Sequence, residues 1–182
     1  VVQLYARLHP QATAGLVLVE SSHPDQIERL GAIVDAHAAG SGRPHPISMP
    51  DPDRYTRLPE SLRMEASFLN SRRKAIFAQM HELKDFAASA AEVRDAPALP
   101  DLPLVVLTRG EREWPAGADG DGKERIWAEL QADLARRVPR GRQIVVPGAG
   151  HNLQLEMPEI VVAAVRTVSG DGREAGREPA RP

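Results

Sequence analysis

The sequence predicts an α/β fold built on a parallel sheet. Three short aliphatic runs are typical of buried strands, and long stretches with helical periodicity separate them. Each run ends in a turn of polar residues, Gly or Pro. Strands that alternate with helices favour right-handed crossovers, and these make consecutive strands parallel. We therefore expect three parallel strands with flanking helices.

Composition limits the class of protein. The 182 residues are enough for one domain with a sizeable core, and 42% of them are hydrophobic. A net charge of -2 opposes a nucleic-acid partner, and no apolar run has the length needed to cross a bilayer. The absence of cysteine removes disulfides, thiolate metal sites and a cysteine nucleophile, and it suits a reducing compartment. We expect a cytoplasmic protein with neither a nucleic-acid nor a membrane partner.

A helix and a strand are predicted within residues 1–23. Apolar residues from Val1 to Leu8 recur at helical spacing, and Pro10 stops this helix. Leu16 to Val19 is uninterrupted aliphatic sequence, which suits a parallel strand buried on both faces. Glu20 ends that strand.

A helical insertion is predicted over residues 24–101. The stretch from Gly40 to Pro59 is rich in Pro, Gly and Asp, which indicates an irregular surface segment. Helical patterns follow at about Glu60–Asn70 and Ser71–Val93. Such a segment is too long for a simple crossover between strands.

The remaining core is predicted over residues 102–169. It begins with a buried strand, Leu104–Leu107, and an amphipathic helix over "KERIWAELQADLARRV". The third strand is "QIVVPG", and Pro158 is well placed in the first turn of the last helix. The tail, residues 170–182, is rich in Gly, Arg and Glu and is predicted to be disordered.

Candidate catalytic side chains follow the strands. Catalytic groups of open parallel sheets gather at the carboxyl ends of the strands. This rule selects Glu20, the stretch Arg109–Glu113 and the stretch Gly150–Asn152. A carboxylate and a histidine at neighbouring strand ends can meet, and the carboxylate then fixes the imidazole tautomer. Gly148 and Gly150 allow a tight turn that presents His151.

The histidines give no sign of a metal site. "HELKD" at His81 lacks the second histidine of a zinc helix, because Asp85 stands in its place. The other histidines lack ligand spacing. We expect neither a metal nor a cofactor.

Three segments together resemble the C-terminal half of an α/β-hydrolase: "YARLHPQATAGLVLVESSHPDQ", "LPLVVLTRG" and "VVPGAGHNLQLEMPEIVVAAVRTV". The sharpest motif is the G-x-G-H-N turn before a helix that opens with Met-Pro-Glu. The resemblance implies a partial α/β-hydrolase fold in which His151 is the base of the catalytic triad and residues 24–101 form the helical cap. It implies an acid at Glu20 or, after the next strand, at Glu111 or Glu113, and we favour Glu20.

The sequence departs from this family in one respect. No G-x-S-x-G nucleophile elbow occurs in it. In the family the elbow comes just before the helix that here starts at Val1, and this helix has no capping residue. We therefore expect a missing upstream segment, a chain that is inactive alone, and an exposed, aggregation-prone edge on the Leu16–Val19 strand.

The leading hypothesis is thus part of an esterase-like hydrolase. The parent would cleave a small lipophilic ester-like substrate with a Ser-His-acid triad of which His151 and Glu20 are members. A variant of this hypothesis has an aspartate nucleophile that attacks an epoxide or a carbon–halogen bond. The alternative is a non-catalytic binding or interaction protein that keeps the hydrolase scaffold.

Overall fold

A three-stranded parallel sheet organises the structure, a computed structural model that describes residues 1–31 and 58–170. Its strands are β1 (Leu16–Val19), β2 (Leu104–Arg109) and β3 (Gly141–Val146). Their order is β1-β2-β3, with both pairs parallel. Because the strands are parallel, their carboxyl ends lie at one edge of the sheet. The predicted fold class is confirmed.

The strand register aligns these carboxyl ends. Leu16 pairs with Leu104 at the start of β1, and Arg109 pairs with Val146 at the end of β2. β2 continues two residues beyond the predicted Leu104–Leu107 because Thr108 and Arg109 still pair with β3. Gln143 Nε2 donates to Thr108 Oγ1 over 2.9 Å, so a polar side chain is accommodated inside the sheet.

Seven α-helices and one short 3-10 helix, Pro10–Ala12, accompany the sheet in the described parts of the chain. Pro158 opens the last α-helix, as predicted. The helices are α1 (Val2–Leu8), α2 (Gln26–Leu30), α3 (Glu60–Ser71), α4 (Arg73–Asp95), α5 (Ala118–Arg136), α6 (Leu153–Glu156) and α7 (Pro158–Ser169).

Alternate residues of the strands pack into two separate cores. On one face, Leu104 and Val106 contact buried residues of α1 and α5. On the other face, Val105 and Leu107 contact buried residues of α6 and α7. This alternation is the two-residue period of a β-strand, with helices covering both faces. All six residues of β2 are buried. In β1, which was also predicted to be buried on both faces, only alternate residues are fully buried.

The chain divides into two compact units. The first contains the sheet and consists of Val1–His23 together with the chain from Asp95 onward. The second is Pro24–Arg94. Within the second unit, Arg94 joins its end to its beginning, because Nη1 donates to Glu28 Oε1 over 2.6 Å and Nη2 donates to Pro24 O over 3.0 Å.

Two predicted segments lie outside the described residues. They are most of the irregular stretch Gly40–Pro59 and the tail that follows Gly170. Among the helices that the structure does describe, none combines the length and the apolar character needed to cross a membrane.

Candidate active site

Backbone hydrogen bonds join the ends of β2 and β3. The amides of Gly110 and Glu111 both donate to the carbonyl of Ala149, over 3.1 and 3.0 Å. A Cβ at Gly110 would lie 2.6 Å from the Val146 carbonyl oxygen, so this approach requires glycine. The loop after β3 is therefore held against the end of the central strand.

That loop presents His151. Gly148 has a φ of 72°, in the left-handed region that glycine favours, as its position in the predicted turn requires. The Gly150 amide donates to Glu156 Oε2 over 2.5 Å, which fixes the loop to the end of α6. The His151 side chain is left half-exposed, with 51% of its surface accessible.

Glu20 lies at the end of β1 in an unusual backbone conformation. Its φ is 43°, and among the described residues it is the only non-glycine residue with a positive φ. For a residue with a Cβ this conformation costs about 1–3 kcal/mol, so other contacts must hold it. The side chain is 2% exposed, and both of its oxygens accept hydrogen bonds. Oε1 accepts from the Arg109 amide over 2.8 Å and from Trp127 Nε1 over 3.3 Å.

The two side chains selected from the sequence meet. His151 Nδ1 lies 3.2 Å from Glu20 Oε2, although 131 positions separate the residues. Trp127 lies edge-on beside the imidazole, with 6.4 Å between the ring centroids. The contact passes across the end of β2, because Glu20 follows β1 and His151 follows β3.

Arg109 binds the same carboxylate. Its Nη1 donates to Glu20 Oε2 over 2.9 Å, and its Nη2 donates to Glu124 Oε2 over 2.9 Å. The guanidinium carbon lies 5.0 Å from the ring centroid of Trp114 and 5.2 Å from that of Trp127. Arg109 is 5% exposed, so this cation is screened from water by two indoles and two carboxylates.

The protonation of Glu20 follows from these contacts. Burial alone would raise its pKa, but the hydrogen bonds from His151 and Arg109 and the charge of Arg109 lower it overall. The carboxylate is therefore ionised at neutral pH and can only accept hydrogen bonds. His151 Nδ1 must then carry a proton, which leaves Nε2 of the neutral ring as a proton acceptor.

The other candidate acids are placed differently. The side chains of Glu111 and Glu113 are exposed, and the Glu113 amide donates to Glu124 Oε1 over 2.7 Å. Of the three carboxylates considered from the sequence, Glu20 is the one hydrogen-bonded to His151.

Three further residues join His151 and Glu20 in this cluster: Arg109, which the sequence places only within the candidate stretch Arg109–Glu113 and without a role of its own, and Trp127 and Glu124, which it does not select. A usable signal existed for Arg109, since it is a charged residue that directly ends a buried strand, as Glu20 is. Trp127 and Glu124 lie inside an amphipathic helix, where their spacing indicates only packing and solvent exposure.

Groups of three or more metal-binding side chains are absent from residues 1–31 and 58–170. The Glu20–His151 pair can move a proton, since it joins a buried, ionised carboxylate to an accessible imidazole.

A family model described as the alpha/beta hydrolase family matches residues 2–164. The chain belongs to the alpha/beta hydrolase family. Neither a curated protein nor a solved structure gave a match. Membership of the alpha/beta hydrolase family confirms the resemblance found in the strand ends and the G-x-G-H-N turn. It also agrees with the parallel sheet.

The lowered pKa of Glu20 predicts a pH-dependent stability difference in this alpha/beta hydrolase chain. The ionised carboxylate stabilises the fold fully above its ordinary pKa of 4.5, and this stabilisation is lost as the pH falls through the lower folded value. The free energy of unfolding of the wild type should thus exceed that of Glu20→Gln most at neutral pH. Urea unfolding from pH 7 to pH 3 measures this difference.

Comparing the wild type with Glu20→Gln separates the contribution of Glu20 to the free energy of unfolding from the contributions of other acids. The pKa of Asp133 is also lowered, by hydrogen bonds from His23 and Arg137 that outweigh the effect of burial, and it affects both proteins equally. A difference that stays constant over the whole pH range would contradict the prediction.

Proposed function

We propose that this chain supplies the general base and the acid of a hydrolase that uses a Ser-His-acid triad. The observation that carries the proposal is the hydrogen bond from His151 Nδ1 to the buried carboxylate of Glu20. Because Nδ1 is engaged, Nε2 of the half-exposed ring is the atom available to take a proton. Family membership supports the same chemistry.

The reaction follows from these roles. Nε2 of His151 takes the proton of a serine hydroxyl as its oxygen attacks the ester carbonyl carbon. Glu20 stabilises the imidazolium, which then gives this proton to the departing alcohol as the ester C–O bond breaks. Water then gives a proton to the same imidazole as it attacks the acyl carbon, and the imidazolium passes this proton to the serine oxygen as the acyl C–O bond breaks, which releases the free acid. No cofactor takes part in the proposed reaction.

The proposed nucleophile lies outside the 182 residues, because they contain no G-x-S-x-G motif. A chain without a nucleophile would be inactive alone, since the base has no hydroxyl to deprotonate. The proposed compartment is the cytoplasm, which the cysteine-free composition favours.

The proposed substrate is a small lipophilic ester. Residues 24–101 are assigned the role of the family's cap from their place in the chain, between β1 and β2. Among the described residues of this segment seven large apolar side chains are exposed, and four of them, two methionines and two phenylalanines, would offer surface to an acyl chain. They are Met64, Phe68, Phe77 and Met80.

The proposal is tested with the extended protein, meaning this chain joined to the residues encoded before Val1. A serine-directed phosphonate should label one serine upstream of Val1, and hydrolysis of a short-chain p-nitrophenyl ester should stop as labelling reaches completion. Mass spectrometry locates the label.

Other outcomes identify the alternatives. Hydrolysis of an epoxide or a carbon–halogen bond without phosphonate labelling would point to an aspartate nucleophile. An extended protein that is folded but neither labelled nor active would favour the non-catalytic interaction protein.

A further inference from the structure

One oxygen of the Glu20 carboxylate, Oε2, accepts hydrogen bonds from both Arg109 and His151. Arg109 Nη1 donates over 2.9 Å and His151 Nδ1 donates over 3.2 Å to this one oxygen. The Arg109 amide holds the other oxygen, Oε1, over 2.8 Å. The backbone and the side chain of one arginine thus grip both ends of the carboxylate that faces the imidazole.

Arg109 is itself fixed in place. Its second arm donates to Glu124 Oε2, and Glu124 Oε1 in turn accepts from the amides of Glu113 and Trp114, over 2.7 and 2.9 Å. The indoles of Trp114 and Trp127 flank the guanidinium. A buried arginine with a rigid fork and these partners has little freedom to rotate.

The charges of the cluster balance only when the imidazole is protonated. With a neutral ring, the carboxylates of Glu20 and Glu124 and the cation of Arg109 leave one net negative charge. An imidazolium at His151 brings the cluster to neutrality. Without Arg109, two buried or partly buried carboxylates would remain, and burial would drive Glu20 toward its protonated form.

We propose that Arg109 is a positioning residue, which holds Glu20 ionised and oriented so that His151 keeps its proton on Nδ1 and presents a bare Nε2. This role deepens the proposed function and rests on it. Arg109 acts through Glu20 and makes no hydrogen bond to the imidazole among the described contacts.

The test is the tautomer of His151, which needs neither a substrate nor a nucleophile. The 182-residue chain is labelled with ¹⁵N-histidine, and the ring nitrogen shifts of His151 are measured at a pH where the ring is neutral. In the wild type we expect the Nδ1–H tautomer to predominate, with a slowly exchanging Nδ1 proton. In Arg109→Gln we expect the tautomer mixture seen for histidine in short peptides, and loss of the slowly exchanging proton.

The matched control is Arg140→Gln. Arg140 is an exposed arginine that pairs with Asp101 over 3.2 Å. It directly precedes β3, so it lies at the amino end of the strand, away from the Glu20–His151 pair. The same loss of charge there should leave the tautomer unchanged. A folded Arg109→Gln chain with the wild-type tautomer would overturn the proposal.

A second variant decides the matter if Arg109→Gln does not fold. Arg109→Lys keeps the positive charge, but one ammonium group cannot replace the two-armed guanidinium that joins Glu20 to Glu124. It should move the tautomer of His151 part of the way toward the mixture seen in short peptides, and a folded Arg109→Lys chain with the wild-type tautomer would overturn the role of Arg109. If only the proposed function is wrong, the result is different. The tautomer of His151 would still depend on Arg109, but the extended protein would not react with the phosphonate.

Discussion

Replacing His151 with alanine in the extended protein is expected to lower kcat/KM for the p-nitrophenyl ester by about 10⁴- to 10⁶-fold. The imidazole is the only group in the cluster that can take a proton at neutral pH and release it within the same cycle. Steady-state hydrolysis measures the loss. Because the ring is half-exposed, the free energy of unfolding should change by no more than about 1 kcal/mol.

The control for this variant is His9→Ala. His9 is exposed and follows α1, so it lies before β1 and away from the carboxyl ends of the strands. It should keep nearly full activity. A His151→Ala protein that retains more than a tenth of the wild-type kcat/KM would remove the imidazole from the mechanism.

Replacing Glu20 with glutamine is expected to lower kcat/KM by about 10³- to 10⁴-fold. The amide keeps the shape of the carboxylate but loses the charge that stabilises the imidazolium. Its NH₂ group can also face Nδ1, and this favours the tautomer that has its proton on Nε2. The loss should appear mainly in kcat, since the carboxylate is buried and does not contact the substrate in the proposed reaction.

Glu111→Gln and Glu113→Gln are the matched controls, because sequence reasoning also considered these acids. Both side chains are exposed, and neither variant should lose more than about twofold in activity. If one of them lost as much activity as is expected for Glu20→Gln, the acid would be assigned to the later strand.

Much of the sheet could be predicted because its strands are encoded locally. The aliphatic run Leu16–Val19 matches β1 in its bounds. The end of β2 was missed because Thr108 and Arg109 are polar, and a polar residue normally ends a buried run. Both are buried here because Gln143 accompanies Thr108 and Glu20 accompanies Arg109 with a hydrogen bond, although Nε of Arg109 has no partner among the described residues. Those partners are 35 and 89 positions away, so no local pattern could indicate them.

The candidate site divides in the same way. His151 and Glu20 could be predicted because Glu20 directly follows β1 and His151 lies in the glycine turn after β3, and parallel strands bring their carboxyl ends to one side of the sheet. Their contact depends on β2 being the central strand, and so does the proposed role of Arg109, which is the last residue of β2. The sequence does not give the order of the strands. The positive φ of Glu20 also has no sequence signal, since the tertiary contacts of its carboxylate hold it.

The hydrogen bond between His151 and Glu20 crosses β2, so it can exist only after both outer strands have docked on the central one. Contacts of such long sequence separation form late and slowly during folding, because the loops between them must close first. The imidazole is therefore a reporter of folding. In a refolding experiment its Nδ1 proton should gain protection from exchange in the last kinetic phase, together with the amides of β3.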